Sequence, residues 1–146
     1  MISMTAPCFV DTNVLVYARD AAEAVKGPRA RAWLEHLWRT RGGRLSYQVL
    51  GEYYVTVTQK LDPGLTADEA RADVRNLAAW RPVVIDEPVV EDAWALQDRH
   101  SLSLWDALIL AAAGAARCGR VLSEDLTDGE RYGTVTVVNP FLHGPG

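Results

Sequence analysis

The chain has 146 residues, of which 49% are hydrophobic, so it is long and apolar enough for one globular domain and is unlike a disordered segment. Its 15 basic and 19 acidic residues give a net charge of −4, which is unlike the basic excess of proteins that bind nucleic acids without regard to sequence. A local basic surface or a bound metal ion would still allow a nucleic-acid substrate.

The first half of the chain is predicted to alternate short strands with helices. The helix at 26–41 has Pro28 in its first turn and Gly42-Gly43 after its end. The helix at 47–60 is followed by Asp62-Pro63-Gly64, which stops it. The predicted elements are a buried strand at 7–10, helices at 12–19 and 26–41, a strand at 44–46 and a helix at 47–60.

The second half continues this alternation. Thr66 and Glu69 have the spacing of a capping box, which starts a helix that runs to about Trp80. The elements predicted after it are a strand at 82–85, helices at 88–100 and 104–117, and strands at 120–123 and 134–138. Apolar strands that alternate with helices predict one α/β domain over residues 1–146, with a mainly parallel sheet covered on both faces.

The sequence predicts a soluble, cytoplasmic protein. No apolar stretch reaches the roughly 20 residues that span a bilayer, and the longest, 104–116, contains Asp106. Residues 1–10 carry no basic run before an apolar core, so we expect no signal peptide. Cys8 and Cys118 lie in apolar surroundings without the spacing of a metal site, so we expect buried free thiols.

Three carboxylates stand alone in stretches that otherwise carry no charge. Asp11 is the only charged residue from 1 to 18, Glu52 from 45 to 59, and Asp106 from 101 to 116. Because it is costly to remove a lone charge from water, such a group must be paired, bound to a metal or protonated. The sequence offers no neighbouring cation for any of the three.

These acids are predicted to meet at one edge of the sheet. Asp11 and Asp125 follow strands, and the carboxyl ends of parallel strands line the ligand crevice. Asp106 begins a helix, and Glu52 lies in the second turn of another. Clustered carboxylates favour a divalent cation such as Mg²⁺ or Mn²⁺, which can activate water against a phosphodiester. Helix capping by Asp11 and Asp106 is the alternative, and the pattern alone leaves both open.

Four segments resemble PIN-domain nucleases, particularly the VapC-type toxins of toxin–antitoxin pairs. FVDTNVLVYA at 9–18 resembles the opening of that family, and three further segments follow in its order. These are QVLGEYY at 48–54, LWDALI at 104–109, and VLSEDL at 121–126 with Asn139-Pro140-Phe141 near the end. Each motif is short, but four in order are specific, and together they span roughly the whole chain.

The resemblance implies a three-layer α/β/α domain with a central, mainly parallel sheet. It also implies a Mg²⁺- or Mn²⁺-dependent endoribonuclease, with Asp11, Glu52 and Asp106 at the positions of the metal-binding acids. Asp125 matches the variable fourth acid, and Asp128 in the same acidic loop is its rival. The family's usual partners are an RNA substrate, an antitoxin that covers the acidic groove, and a second copy of the chain.

Several neutral and basic side chains receive weaker expectations. Thr12 and Asn13 either orient Asp11 or cap the next helix, and Ser123 matches a small hydroxyl residue near the acids. Substrate contacts are expected from a basic group that could equally be solvated helix surface: Arg19, Lys26, Arg29, Arg31, Arg39, Arg41 and Arg44. Core packing is expected for most of the tryptophans, with one or two at an interface: Trp33, Trp38, Trp80, Trp94 and Trp105.

Three other functions compete with this interpretation. A catalytically inactive member of the same fold would bind RNA or a protein partner, but such a protein should have lost at least one of the acids. A dehalogenase-like phosphohydrolase needs a second Asp two residues after Asp11, where this chain has Asn13. A Ser-His-Asp hydrolase needs a G-x-S-x-G turn, which the sequence lacks.

Overall fold

The computed structural model describes residues 7–145. Most of the segment on which the absence of a signal peptide was predicted therefore lies outside the described residues, as does Gly146. The elements within the described range are β1 (Cys8–Val10), α1 (Thr12–Arg19), α2 (Lys26–Thr40), β2 (Gly43–Arg44), α3 (Tyr47–Gln59), α4 (Ala67–Leu77), a 3-10 turn (Ala78–Trp80), α5 (Glu87–Arg99), α6 (Leu104–Ala115), β3 (Arg120–Leu122), β4 (Arg131–Tyr132) and β5 (Val135–Val138).

The strands form one sheet in the order β2-β1-β3-β5-β4. The first four run parallel, with Cys8 paired to Gly43 on one side and to Arg120 on the other, and β4 alone is antiparallel to its neighbour β5. β1 lies inside the sheet, and its three residues are fully buried. The mainly parallel sheet predicted from the alternation of strands and helices is confirmed.

Helices pack in two groups around this sheet. α1 packs against α2, and α5 packs along α6, while α3 contacts both α1 and α4. The connection from β1 to β2 and the one from β2 to β3 run in opposite directions across the sheet. Right-handed crossovers in opposite directions place their helices on opposite faces, so the sheet is covered on both sides. This is the predicted α/β/α layering.

The predicted strand at 82–85 is wrong. Val83 forms a single parallel bridge with Ser46, in which its N–H donates to the carbonyl of Leu45 at 2.9 Å. Arg81 is left-handed, with φ of 54°, so the chain is not extended before Pro82, and Asp86 N donates to the carbonyl of Val84 at 3.0 Å in a turn that ends the segment. β4 was not predicted at all, because two residues in an acidic loop carry no periodic signal. The second strand lies at Gly43–Arg44 rather than 44–46.

Most helix boundaries agree with their capping signals. The capping box is present, with Glu69 N donating to Thr66 Oγ1 at 3.1 Å and Thr66 N donating to Glu69 Oε1 at 3.0 Å. The regular helix ends at Leu77, earlier than predicted, and continues to Trp80 as a 3-10 turn. α2 ends one residue before its prediction, because Arg41 and not a glycine takes the left-handed conformation there, with φ of 58°.

The tryptophans divide between core and surface. Trp33 and Trp80 are buried, as predicted, whereas Trp38, Trp94 and Trp105 leave 42%, 50% and 62% of their surface exposed. The expectation that most of the five pack in the core is therefore wrong: these three are helix residues whose rings remain partly in solvent, and Trp38 and Trp105 line cavities. Cys8 and Cys118 are buried and free, as expected. Among the described helices, none is long and apolar enough to cross a membrane.

Candidate active site

Asp11 lies where β1 ends and α1 begins. Its N–H donates to the carbonyl of Leu122 in the neighbouring β3 at 2.9 Å, so the backbone itself places it at the carboxyl edge of the sheet. Oδ1 accepts from Thr12 N at 2.7 Å and Oδ2 from the buried hydroxyl of Ser123 at 2.7 Å. The side chain therefore caps α1, and only 6% of the residue is exposed.

Burial raises the pKa of Asp11 from its ordinary 3.8 to about 6. Desolvation is the largest cause, and the nearby Asp125 and Asp106 carboxylates add to it, while the hydrogen bonds from Ser123 and Thr12 act in the opposite direction. The charged form of this carboxylate is thus held in a place that disfavours it. A cation bound beside it would reverse that balance.

The four acids predicted to cluster line one open cavity of about 170 Å³. They come from four separate segments of the chain: Asp11, Glu52, Asp106 and Asp125. Among the described residues that line the cavity, none is basic. The other lining residues are neutral: Thr12, Asn13, Gln48, Thr56, Trp105 and Ile109.

The first two residues of α1 connect acids that are distant in sequence. Thr12 Oγ1 donates to Glu52 Oε1 at 3.0 Å, and Asn13 Nδ2 donates to Asp125 Oδ2 at 3.0 Å. Asn13 Nδ2 also lies 3.5 Å from Asp11 Oδ2. The orienting role expected of Thr12 and Asn13 thus has a geometric basis: their side chains hold Glu52 and Asp125, and the backbone N–H of Thr12 holds Asp11.

Asp106 reaches the cavity from the first turn of α6. Ser103 caps this helix, and its hydroxyl accepts from Asp106 N at 3.1 Å. Burial raises the pKa of Asp106, and the nearby Asp125 carboxylate raises it further. Arg117, with φ of 59°, reverses the chain after α6 so that β3 runs back toward the edge where α6 began. The start of α6 and the end of β3 therefore meet.

Asp128 lies outside the cavity. Its carboxylate accepts from Asn139 N at 2.8 Å and lies 2.9 Å from His143 Nε2, and the backbone hydrogen bond is the larger of the causes that lower its pKa. These contacts fasten the acidic loop to the chain beyond β5. Of the two rivals for the fourth position, the structure brings only Asp125 to the other acids.

The basic residues that were predicted to contact the substrate also lie outside the acidic cavity. Lys26 pairs with Glu124, whose carboxylate also accepts from the hydroxyl of Tyr17 at 2.6 Å. Arg19 forms a two-pronged ion pair with Asp73 at 2.6 and 2.9 Å. None of the seven basic candidates lines the acidic cavity. Lys26 instead ties the loop after β3 to α2.

The donor set suits a hard divalent cation. Every charged atom that lines the cavity is a carboxylate oxygen, and the largest burial falls on Asp11. Within residues 7–145, however, no three acidic, histidine or cysteine side chains are arranged as a ready metal cluster. Mg²⁺ commonly binds through one or two carboxylates and keeps several waters, so this looser arrangement fits the ion.

Sequence reasoning did not identify Gln48 and Trp105 as site residues. The Oε1 atom of Gln48 is buried without a hydrogen-bond partner, and its Nε2 lies 3.5 Å from the carbonyl of Trp105. Gln48, Glu52 and Thr56 follow one another at intervals of four along α3, which puts them on one helix face. That polar stripe was the available signal, but charge counts alone do not detect neutral residues.

A larger cavity of about 650 Å³ lies away from the acids, between α1, α2 and α4. Apolar side chains such as Leu15, Leu34 and Leu77 form much of its wall, and the Arg19–Asp73 ion pair lies at its edge. Tyr53 donates a hydrogen bond from its hydroxyl to Asp73 there. This cavity has none of the acidic groups from which the candidate active site is built.

Comparison with known proteins points to one family. A family model described as a PIN domain matches residues 8–127. Among solved structures, the chain is similar to a toxin–antitoxin complex from Klebsiella pneumoniae, with a TM-score of 0.67 and 20% identity over 91% of this chain and 97% of that one. No curated protein sequence matches the chain significantly.

Two further solved structures share the fold. Mycobacterium tuberculosis VapC20, described as a sarcin–ricin loop cleaving toxin, has a TM-score of 0.62 and 24% identity over 81% of this chain and 91% of that one. VapBC2 from Rickettsia felis, bound to a DNA fragment from its promoter, has a TM-score of 0.59 and 14% identity over 89% and 96%.

Proposed function

The chain belongs to the PIN-domain family, and from this premise we propose that it is a metal-dependent endoribonuclease, the toxin of a toxin–antitoxin pair. One observation carries the proposal: four carboxylates from separate segments line a single cavity that contains no basic residue. Similarity to a toxin described as cleaving the sarcin–ricin loop supports RNA as the substrate class.

The proposed metal ligands are Asp11 and Asp106, assisted by Glu52 and Asp125. Mg²⁺ or Mn²⁺ bound there would supply a polarised water and neutralise charge on the phosphate. The protein would position the ligands: Ser123 and Thr12 hold Asp11, Thr12 holds Glu52, and Asn13 holds Asp125. Asp128 is left out of the set because Asn139 and His143 already engage its carboxylate.

Trp105 and Gln48 are the proposed contacts for the RNA itself. The indole of Trp105 is 62% exposed at the cavity, which suits stacking against an unpaired base. The exposed Nε2 of Gln48 has a second N–H that can donate to a base, ribose or phosphate oxygen. Single-stranded loops are therefore the substrates that these residues favour.

The proposed partners are a cognate antitoxin and a second copy of the chain, and the proposed compartment is the cytoplasm. Two of the similar structures are described as a toxin–antitoxin complex and as VapBC2, which supports the antitoxin. An acidic cavity without basic lining residues suits a basic side chain inserted by such a partner. Co-expression with the product of the neighbouring reading frame, followed by mass measurement of the complex, tests both associations.

Asp11→Asn tests the proposed activity. We expect this variant to lose cleavage of single-stranded RNA in Mn²⁺ by about a hundredfold or more, because a neutral amide binds a divalent cation poorly. Asp128→Asn is the matched control, since it changes an acid outside the cavity and should cleave normally. Circular dichroism checks that both variants are folded. Equal cleavage by Asp11→Asn and the unmodified chain would refute the assignment.

A further inference from the structure

A third pocket, of about 300 Å³, lies at the edge strand β2. Its lining is unusually rich in arginine and tryptophan: Trp38, Arg41, Arg44, Ala79, Trp80 and Arg81. The residues come from the end of α2, from β2 and from the segment around the 3-10 turn. No motif of the family resemblance includes them, and none lines the acidic cavity.

The pocket is separate from the acidic site. The sheet register pairs Gly43 with Cys8, which lies three residues before Asp11 in β1. Arg41 precedes Gly43, so this end of the pocket lies toward the amino ends of the strands. The acids follow the carboxyl ends. A ligand here would therefore contact the protein at a distance from the proposed metal ions.

Three arginines that line the pocket have no acidic partner among the residues that the structure describes. Among the ion pairs of the described residues, none involves Arg41, Arg44 or Arg81. Arg44 Nη1 donates to the carbonyls of Gly43 at 2.7 Å and Arg41 at 3.2 Å, which orients the group but leaves its charge uncompensated. In a chain of net charge −4, three unpaired arginines around one pocket favour an anion.

Two tryptophans form the aromatic part of the pocket. Trp80 is 3% exposed and packs directly on the backbone, since a Cβ at Gly43 would lie 2.5 Å from its ring. Its Nε1–H is buried without an acceptor, which marks a strained position beneath the pocket. Trp38 lies against it with ring centroids 4.9 Å apart and remains 42% exposed. Trp38 lines the pocket together with the three arginines, so its exposed indole is available to a ligand bound there.

The geometry points to a nucleotide-binding subsite in this pocket, in which a base stacks on Trp38 while Arg41, Arg44 and Arg81 hold the phosphate. Proteins that bind single-stranded nucleic acids combine an aromatic ring, on which a base stacks, with arginine guanidiniums, which bind the phosphate. The ligand is either a free nucleotide or one unit of an RNA strand. The recognition chemistry is the same for both. Only the RNA strand rests on the proposed function.

The test uses the full chain in EDTA, which removes metal-dependent cleavage. Fluorescence anisotropy measures the Kd for a labelled eight-nucleotide 2′-O-methyl RNA with the unmodified protein, Trp38→Ala, Trp38→Phe and the double variant Arg41→Ala/Arg81→Ala. Arg29→Ala is the matched control, since Arg29 is also an exposed arginine on α2 but lies outside the pocket. Thermal melts by circular dichroism confirm that each variant is folded.

We expect Trp38→Ala and the double arginine variant each to weaken binding about tenfold, with Trp38→Phe and Arg29→Ala close to the unmodified protein. Competition by AMP would identify a free nucleotide as the source, and binding of the oligonucleotide without such competition would identify a strand. Equal affinities for all variants would overturn the subsite, as would displacement by inorganic phosphate as effectively as by AMP. The two proposals can fail separately. A protein that cleaves RNA but does not bind the oligonucleotide here contradicts only the subsite, and a protein that binds it but does not cleave contradicts only the proposed function.

Discussion

Asp11 combines two roles that its sequence context left as alternatives. It caps α1 through Thr12 N, and it also lies in the acidic cavity with three other carboxylates. The cost of this double role is visible in its protonation, because burial raises its pKa to about 6. A residue that served only as a cap would be better placed in water, where its charge would be free of desolvation.

Asp11→Asn should therefore stabilise the metal-free protein at pH 7.5. The pKa of Asp11 is raised in the folded state, so its contribution to stability is complete below about pH 4 and is lost as the pH rises through about 6. Asparagine has no charge to desolvate. We expect a gain of about 1–3 kcal/mol in the free energy of unfolding in EDTA at pH 7.5, measured by urea denaturation.

The pH dependence of that gain is its own control. At pH 4 the aspartate is protonated in the fold, so the two proteins should have nearly equal stability. A variant that is less stable than the parent at both pH values would show that the hydrogen bonds from Ser123 and Thr12 outweigh desolvation, and would contradict the prediction.

Ser123 is the second residue on which the geometry of the site depends. It is fully buried, its hydroxyl donates to Asp11 Oδ2 at 2.7 Å, and it accepts from Asp125 N at 3.1 Å. Ser123→Ala should lower the free energy of unfolding by about 1–3 kcal/mol because Asp125 N loses its acceptor. It should also reduce RNA cleavage, since both acids lose a fixed position.

The comparison with Ser123→Thr makes the experiment specific for the hydroxyl. Threonine keeps the donor and acceptor but adds a methyl group, so it should lose some stability while retaining more cleavage than alanine. Identical cleavage rates for alanine and threonine would show that the hydrogen bonds of Ser123 do not position the acids.

At the scale of elements, sequence signals located the helices well and the short strands poorly. Thr66 and Glu69 mark a helix start by local chemistry that survives in the fold. Gly43–Arg44 and Arg131–Tyr132 have only two residues each, and their pairing depends on neighbours that are distant in sequence. Local patterns carry no information about such partners. The segment 82–85 was therefore wrongly predicted as a strand, the bounds of β2 were misplaced and β4 was missed.

The edge strand β2 depends on close packing between its backbone and Trp80. A methyl group at Gly43 would lie 2.5 Å from the indole, well inside van der Waals contact. Because both groups are buried, Gly43→Ala must displace the ring or the strand, and we expect it to cost about 1–3 kcal/mol of stability. Urea denaturation monitored by tryptophan fluorescence measures the change.

Gly51→Ala provides the opposite control. Gly51 lies within α3, is exposed, and an added Cβ would meet no atom within 4 Å. Alanine there should stabilise the protein by about 0.5–1 kcal/mol through helix propensity alone. If both substitutions changed stability in the same direction, contact with Trp80 would not be the reason that position 43 requires glycine.

At the scale of the whole molecule, the acidic site is a consequence of parallel topology. The end of β1, the end of β3, the start of α6 and the second turn of α3 meet at one edge of the sheet. The lone charges of Asp11, Glu52 and Asp106 were visible in the sequence because the stretches around them carry no other charge, although of the three only Asp11 is buried and Glu52 is exposed. The neutral residues Gln48 and Trp105 were not, since polar or aromatic residues on a helix are ordinary until the fold shows what they line.

The folded molecule should bind a cation more tightly than the unfolded chain, because four acidic residues and no basic residue line one cavity. Mg²⁺ or Mn²⁺ at millimolar concentration should therefore raise the melting temperature. Asp106→Asn should reduce the shift, because Asp106 is partly buried in the cavity and its pKa is already raised by burial and Asp125. Asp128→Asn should leave the shift intact, since Asn139 and His143 hold that carboxylate outside the cavity. Differential scanning calorimetry at constant ionic strength separates binding from general screening, and an equal shift in all three proteins would assign the effect to surface charge rather than to this site.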